Sequence, residues 1–190
     1  NTEGCWNTAI GTETLVTNTE GCYNTAIGKQ AMYDNTEGDH NTGIGQCALK
    51  RNTTGCYNTA LGRDALYENT TGFINTAIGP YALNKNTVGD YNTALGVCAL
   101  HLSLSGDHNF AAGQCSLYNN WGGNYNTGIG YFTLKDNTTG LGNVGIGQFA
   151  LKANTAGGSN VALGYRILCS NTTGNQNVGI GSLSLCSNTT

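Results

Sequence analysis

The sequence predicts an all-β protein: a parallel β-solenoid (a β-roll or β-helix) of eleven 17-residue coils with no globular cap. Three observations carry that reading. The chain repeats every 17 residues from Asn1 to Ser187 without insertion or deletion, and Asn188, Thr189 and Thr190 open another unit. Within the repeat, columns 4 and 11 are always Gly and column 7 is always Asn. The units are rich in Gly, Asn and Thr, which are poor helix formers, and their apolar residues lack the three- and four-residue spacing of a helix. A strict short period of this kind marks coils stacked on one another rather than a compact core. Residues 1–190 therefore form a single array, with coils beginning at Asn1, Asn18, Asn35, Asn52, Asn69, Asn86, Ser103, Asn120, Asn137, Asn154 and Asn171.

Each coil divides into the same parts. Columns 1 to 4, usually Asn-Thr-x-Gly, read as a turn, because Asn and Gly tolerate left-handed backbone. Columns 6 to 10, for example Tyr23, Asn24, Thr25, Ala26 and Ile27, read as a short strand that Gly28 ends. Columns 13 to 16 read as a second extended segment around a Leu in column 15, replaced once by Met32. In-register stacking at about 4.8 Å per coil gives a rod of roughly 50 Å. Ile or Leu of column 10, replaced once by Ala112, and Leu of column 15 are the expected apolar core. The asparagines of column 7 are expected to form a ladder along the axis: Asn7, Asn24, Asn41, Asn58, Asn75, Asn92, Asn109, Asn126, Asn143, Asn160 and Asn177.

Strand side chains alternate, so columns 6, 8 and 10 share one face and columns 7, 9 and 11 the other. Charges fall only in columns 3, 5, 12, 13, 16 and 17, which leaves both faces neutral. One face is expected to line the interior and the other to meet a neighbouring chain; a neutral, Thr-coated monomer surface is the alternative.

Composition excludes several classes. With 8 basic and 11 acidic residues the net charge is −3, unsuited to nucleic acid, which needs clustered cations. No apolar run reaches the roughly 18 residues of a membrane span. Without an initiator Met or signal peptide, the sequence reads as a mature chain or a piece of a longer one.

Eight cysteines occupy three columns. Cys5 with Cys22, Cys98 with Cys115, and Cys169 with Cys186 are each one period apart, which stacking brings within disulfide range. Cys47 and Cys56 are a looser candidate pair across one turn. Disulfides in this number point to an extracellular, oxidising setting. Asn52, Asn69, Asn137, Asn171 and Asn188 head Asn-x-Ser/Thr acceptors. All are column-1 residues expected to point outward, which glycosylation requires; Asn-Thr-Thr is equally good turn chemistry.

Nothing in the sequence assembles into a catalytic site, a cofactor site or a metal site. Gly140, Gly142 and Gly145 match GxGxxG but lack the strand–helix context of a dinucleotide site. Asp39–His40 and Asp107–His108 are adjacent on a strand and face opposite ways. Glu3, Glu20 and Glu37 form a column that reads as a solvated edge. Trp6, Tyr23, Tyr57, Tyr91 and Tyr125 in column 6 form a stripe that reads as packing or as a surface for sugar rings.

Units such as Asn52–Glu68, NTTGCYNTALGRDALYE, resemble the Asn-Thr-Ala-Ile-Gly repeats of phage and bacterial tail-fibre-type proteins. More distantly they are similar to the head repeats of trimeric autotransporter adhesins. The resemblance covers the whole chain and implies a fibre of β-solenoid coils, outside the cell or on a virion, used in adhesion and often trimeric. The same element resembles the Asn-x-Val-x-Gly repeats of grass ice-binding solenoids. Thr8, Thr25, Thr42, Thr59, Thr76, Thr93 and Thr127 would be the matching Thr ladder, which breaks at Phe110 and turns to Val at Val144, Val161 and Val178. The expected function is thus a non-enzymatic structural protein of an extracellular fibre. Its expected partners are copies of itself, end to end and side by side, and surface carbohydrate; ice binding is the alternative. Neither end carries an atypical capping unit, which suggests a chain cut from a longer fibre or one that stacks on the next.

Overall fold

The computed structural model describes residues 2–190, so Asn1, the expected start of the first coil, lies outside the described residues. Each coil contributes one three-residue strand: β1 (Thr8–Ile10), β2 (Thr25–Ile27), β3 (Thr42–Ile44), β4 (Thr59–Leu61), β5 (Thr76–Ile78), β6 (Thr93–Leu95), β7 (Phe110–Ala112), β8 (Thr127–Ile129), β9 (Val144–Ile146), β10 (Val161–Leu163) and β11 (Val178–Ile180). They form one parallel sheet in sequence order. Thr8 pairs with Thr25, Thr25 with Thr42, and the 17-residue offset holds through Val161 and Val178. The chain is a parallel β-solenoid.

The strands are shorter than columns 6 to 10, because column 6 is left-handed: Tyr23 has φ 59° and His40 φ 55°. The second extended segment is also replaced. Columns 13 to 16 form a turn in which columns 13 and 15 are both left-handed, as in Cys47 (φ 57°) and Leu49 (φ 52°). Each such residue costs about 1–2 kcal/mol against ordinary backbone. A lone coil could not sustain three of them. The stack offsets the cost by giving the left-handed residues partners in both neighbouring coils: Gln30 N–H donates to Thr12 O of the coil before at 2.9 Å, and Met32 N–H to Ala48 O of the coil after at 2.9 Å.

The turn in columns 1 to 4 is tied the same way. The carbonyl of Thr36 accepts from the amides of Thr19 (3.0 Å), Glu20 (3.0 Å) and Gly21 (3.1 Å) in the coil before, and from Thr19 Oγ1 at 3.1 Å. Column 4 is Gly for space: a β-carbon on Gly21 would sit 2.5 Å from Asn18 Oδ1 and 2.6 Å from Gly38 O. Column 11 is Gly for space and backbone together. Gly28 has φ +128°, and its β-carbon would lie 2.6 Å from Gly45 O.

The core differs from the expected one. Leu of column 15 (Leu49, Leu66, Leu83) fills the lumen, beside the alanines of column 9 (Ala60, Ala77) and column 14 (Ala48, Ala65), all fully buried. Column 10 is outside: Leu61, Ile78 and Ile146 are exposed. Alternation forces this result. Asn in column 7 and Ala or Gly in column 9 turn inward, so columns 8 and 10 turn outward. The lumen, already occupied by Leu, has room only for small residues on the strand side.

Candidate functional surfaces

Two asparagine ladders run inside the rod. In column 7, Asn24 N–H donates to Asn7 Oδ1 at 2.8 Å, while Asn24 Nδ2 donates to Gly38 O in the next coil at 2.7 Å. The same pair of bonds recurs at Asn41, Asn58, Asn75 and Asn92. From Asn109 onward through Asn126, Asn143, Asn160 and Asn177, side-chain amides also bond one another. The expected ladder therefore exists, and its main strength is side chain to backbone.

The second ladder was not expected. Column 1 also points inward: Asn35 Nδ2 donates to Asn18 Oδ1 (2.8 Å), Asn52 Nδ2 to Asn35 Oδ1 (2.7 Å) and Asn69 Nδ2 to Asn52 Oδ1 (2.7 Å). This corrects the outward placement of the acceptor asparagines. Asn52, Asn69, Asn137 and Asn171 are fully buried, and their Nδ2 atoms are spent on the neighbouring Asn and on Gly carbonyls. Asn188, at the last coil, is part-buried and bonds Asn171 Oδ1 at 3.2 Å. Attaching a glycan to the four buried residues would require opening the coil. The signal for this ladder was present in the sequence, since column 1 is nearly as invariant as column 7.

Column 5 supplies a third axial contact. Asp39 Oδ1 accepts from Cys22 N–H at 2.6 Å, Asp90 Oδ1 from Phe73 N–H at 2.9 Å, Asp107 Oδ1 from Asp90 N–H at 2.9 Å, and Asn124 Oδ1 from Asp107 N–H at 2.7 Å. Cys22 and Cys56 fill the same role through sulfur, accepting from Cys5 N–H (3.1 Å) and Asp39 N–H (3.3 Å). The column's mixture of Asp, Asn and Cys thus reflects one need, an acceptor for the amide of the coil before. Burial pushes the Asp90 carboxyl above its ordinary range; the Phe73 amide pulls it back, and Asp107 adds to the rise.

All eight cysteines are thiols in this structure. The three pairs one period apart are nonetheless in contact. A hydrogen bond to Cys22 raises the Cys5 thiol, and one to Cys169 raises Cys186. Burial is the main cause that raises Cys98 and Cys115. Cys47 and Cys56 are not brought together: Cys47 Sγ reaches Gln30 Oε1 at 3.7 Å, and Cys56 Sγ donates to Thr54 O at 3.3 Å. Raised thiols carry little thiolate near neutral pH and are poor nucleophiles.

Column 6 forms two stacks. Trp6, Tyr23, His40 and Tyr57 follow at centroid spacings of 4.8, 4.6 and 4.8 Å; Tyr91, His108 and Tyr125 follow at 4.7 and 5.1 Å. Ile74 separates them. Because the rings lie face to face along the axis, only their edges meet solvent. Within the array an open ring face remains at Tyr125 (65% exposed), above which Gly142 carries no side chain. His40 is sandwiched between two tyrosines while Asp39 bonds the coil before, so these adjacent residues do not act on each other. Glu3, Glu20 and Glu37 are exposed. Among the described residues, no group of three or more His, Cys, Asp or Glu is placed to hold a metal ion, and no helix is long and apolar enough to cross a membrane.

The geometry defines a class, an in-register parallel β-solenoid with internal asparagine ladders and neutral outer strands. No protein-family model, curated protein or solved structure matches the chain.

Proposed function

We propose that this protein is a structural component of an extracellular fibre, extending by coil-on-coil stacking. The observation that carries the reading is translational: each strand from β1 to β11 repeats the last at a fixed offset, in one uninterrupted sheet. A coil that meets its neighbour through identical hydrogen bonds at every step can meet a further copy in the same way. Any exposed terminal coil presents a row of unpaired N–H and C=O groups, a ready template for addition. The axial ladders favour stiffness over motion, which suits a fibre better than a site that must open and close. The three thiol pairs favour an oxidising location, where they would close as staples. The likeness of the Asn-Thr-Ala-Ile-Gly units to tail-fibre and adhesin-head repeats supports a non-enzymatic, adhesive role. The open ring face of Tyr125, above which Gly142 carries no side chain, is where carbohydrate would land. Negative-stain electron microscopy of native material tests the reading: stiff fibres longer than the roughly 50 Å of eleven coils are expected, and uniform single rods at high concentration would sink it.

A second reading has one observation in its favour. The threonines of column 8 stand on the outer face in register, one per coil from Thr8 to Thr93. That arrangement suits ice binding. The ladder is lost after Thr127, where Val144, Val161 and Val178 lack the hydroxyl. Thermal hysteresis of the purified protein decides between the two, and its absence at high concentration removes the ice-binding reading.

A further inference from the structure

The outer face of the sheet carries two columns, Thr or Val in column 8 and Ile or Leu in column 10, with no charge in either. Residues such as Leu61, Ile78 and Ile146 are exposed there. One coil departs from the pattern at both columns together. In β7, Phe110 stands between Thr93 and Thr127, and Ala112 stands between Leu95 and Ile129. The face therefore has one knob, where a ring replaces a threonine, and one notch, where a methyl replaces a branched side chain. They are two residues apart on one strand.

We propose that this face binds a second copy of the chain, in parallel and coil for coil, about a two-fold axis parallel to the solenoid axis. Such an axis places column 8 of one copy against column 10 of the other at equal height. Phe110 then enters the notch over the partner's Ala112, and the partner's Phe110 enters the notch over Ala112. A two-fold axis running along the strands sets column 8 against column 8 instead. In that arrangement Phe110 meets another Phe, or a Thr or Val of an ordinary coil, and the notch stays empty. Only the parallel arrangement uses both departures, and it uses each twice, as an isologous interface requires.

Three further features favour a second copy as the occupant. The face repeats at the strand spacing of about 4.8 Å, and another copy has that period over its full length. Neither column carries a charge, so like surfaces meet without repulsion. The extent also suffices. About 50 Å of rod and a strip about 11 Å wide bury on the order of 550 Å² per copy, or about 1,100 Å² in total, just past the roughly 1,000 Å² expected of a specific interface. The inference deepens the side-by-side packing of copies expected from the sequence, and it does not rest on the end-to-end growth proposed above.

Sedimentation equilibrium on four proteins tests it: wild type, Phe110→Thr, Ala112→Ile, and the double variant. Each substitution installs the residue that other coils carry, so the fold is preserved, which circular dichroism checks. Wild type is expected to dimerise. Ala112→Ile fills the notch and should weaken the dimer by about tenfold or more, the usual scale of overpacking; adding Phe110→Thr should restore it. Coil 7 lies six coils from the first and four from the last, so these substitutions do not act through the ends. If fibres still grow but association ignores Ala112→Ile, the lateral interface is overturned while the fibre reading stands. If the four proteins differ in stability but not in association, Phe110 covers Ala112 within its own chain, and the proposal falls. A wild-type chain that stays monomeric and never lengthens would sink both.

Discussion

Thr133 and Gly145 are matched in size across two coils: a β-carbon on Gly145 would lie 2.7 Å from Thr133 Cγ2. The match recurs wherever column 14 outgrows alanine in the body of the rod. Ser116 Oγ would stand 2.6 Å from a β-carbon on Gly128, and Ile167 Cγ2 would stand 2.5 Å from one on Gly179. The fourth column-9 glycine, Gly43, faces Met32, the one departure from Leu in column 15, whose Cγ would be 3.0 Å away. Where column 14 is Ala48, Ala65, Ala82, Ala99 or Ala150, the next coil carries Ala60, Ala77, Ala94, Ala111 or Ala162. Only Thr14 faces an alanine, Ala26, and its hydroxyl is held by Gly28 O at 2.8 Å. The lumen thus holds a nearly constant volume, shared between neighbouring coils.

A double-mutant cycle tests this sharing. Gly145→Ala is expected to destabilise by about 1–3 kcal/mol, the usual cost of overpacking. Thr133→Ala together with Gly145→Ala reproduces the common coil and should recover most of that loss, read from denaturation midpoints. Equal instability of the single and double variants would refute the shared volume.

Ser103 interrupts the column-1 ladder, and the interruption leaves orphans. Asn86 Oδ1 and Ser103 Oγ are buried without a hydrogen-bond partner. Ser103→Asn restores an amide in line with Asn86 and Asn120. It should raise stability by about 1–2 kcal/mol, with slower amide exchange in coils 6 to 8. An unchanged melting point would show that the site has relaxed around serine.

Asp90 links stability to pH. Its carboxyl is raised by burial and by Asp107, so the folded chain binds a proton more readily than the unfolded one. Protonation then favours folding, and the charged form opposes it at neutral pH. Asp90→Asn keeps the acceptor for Phe73 N–H, as Asn124 does for Asp107. The variant should be more stable than wild type at pH 7. The difference should shrink as pH falls through the raised folded value and vanish below the ordinary Asp value of about 3.9. Parallel melts across that window measure it; an advantage that persists at low pH would rule out the charge as its cause.

The thiols separate by position. Mild oxidation followed by non-reducing peptide mapping should link Cys5 to Cys22, Cys98 to Cys115 and Cys169 to Cys186. Cys47 and Cys56 should stay reduced and be alkylated once the chain is unfolded, since each bonds to a different neighbour. A Cys47–Cys56 crosslink in folded material would contradict the coil geometry.

The sequence by itself determined the period, the β-solenoid, the in-register stacking and the column-7 ladder. All four follow from repetition, because identical units at a fixed spacing can only stack column on column. It also placed the partners of the three cysteine pairs, for the same reason. Which face turns inward was decided only by the tertiary structure. Alternation separates columns 8 and 10 from columns 7 and 9 without saying which set is inside. The answer came from volume: Leu of column 15 leaves the strand side of the lumen room for Ala, Gly and Asn, not for the Ile or Leu of column 10. The column-1 asparagines lie inside because their amides bond one another and the column-4 Gly carbonyls. The turns were equally beyond local reading, since Tyr, Cys and Leu do not choose left-handed backbone alone. Columns 6, 13 and 15 adopt it because the hydrogen bonds of the neighbouring coils, before it for columns 6 and 13 and after it for column 15, are available to a chain that turns that way.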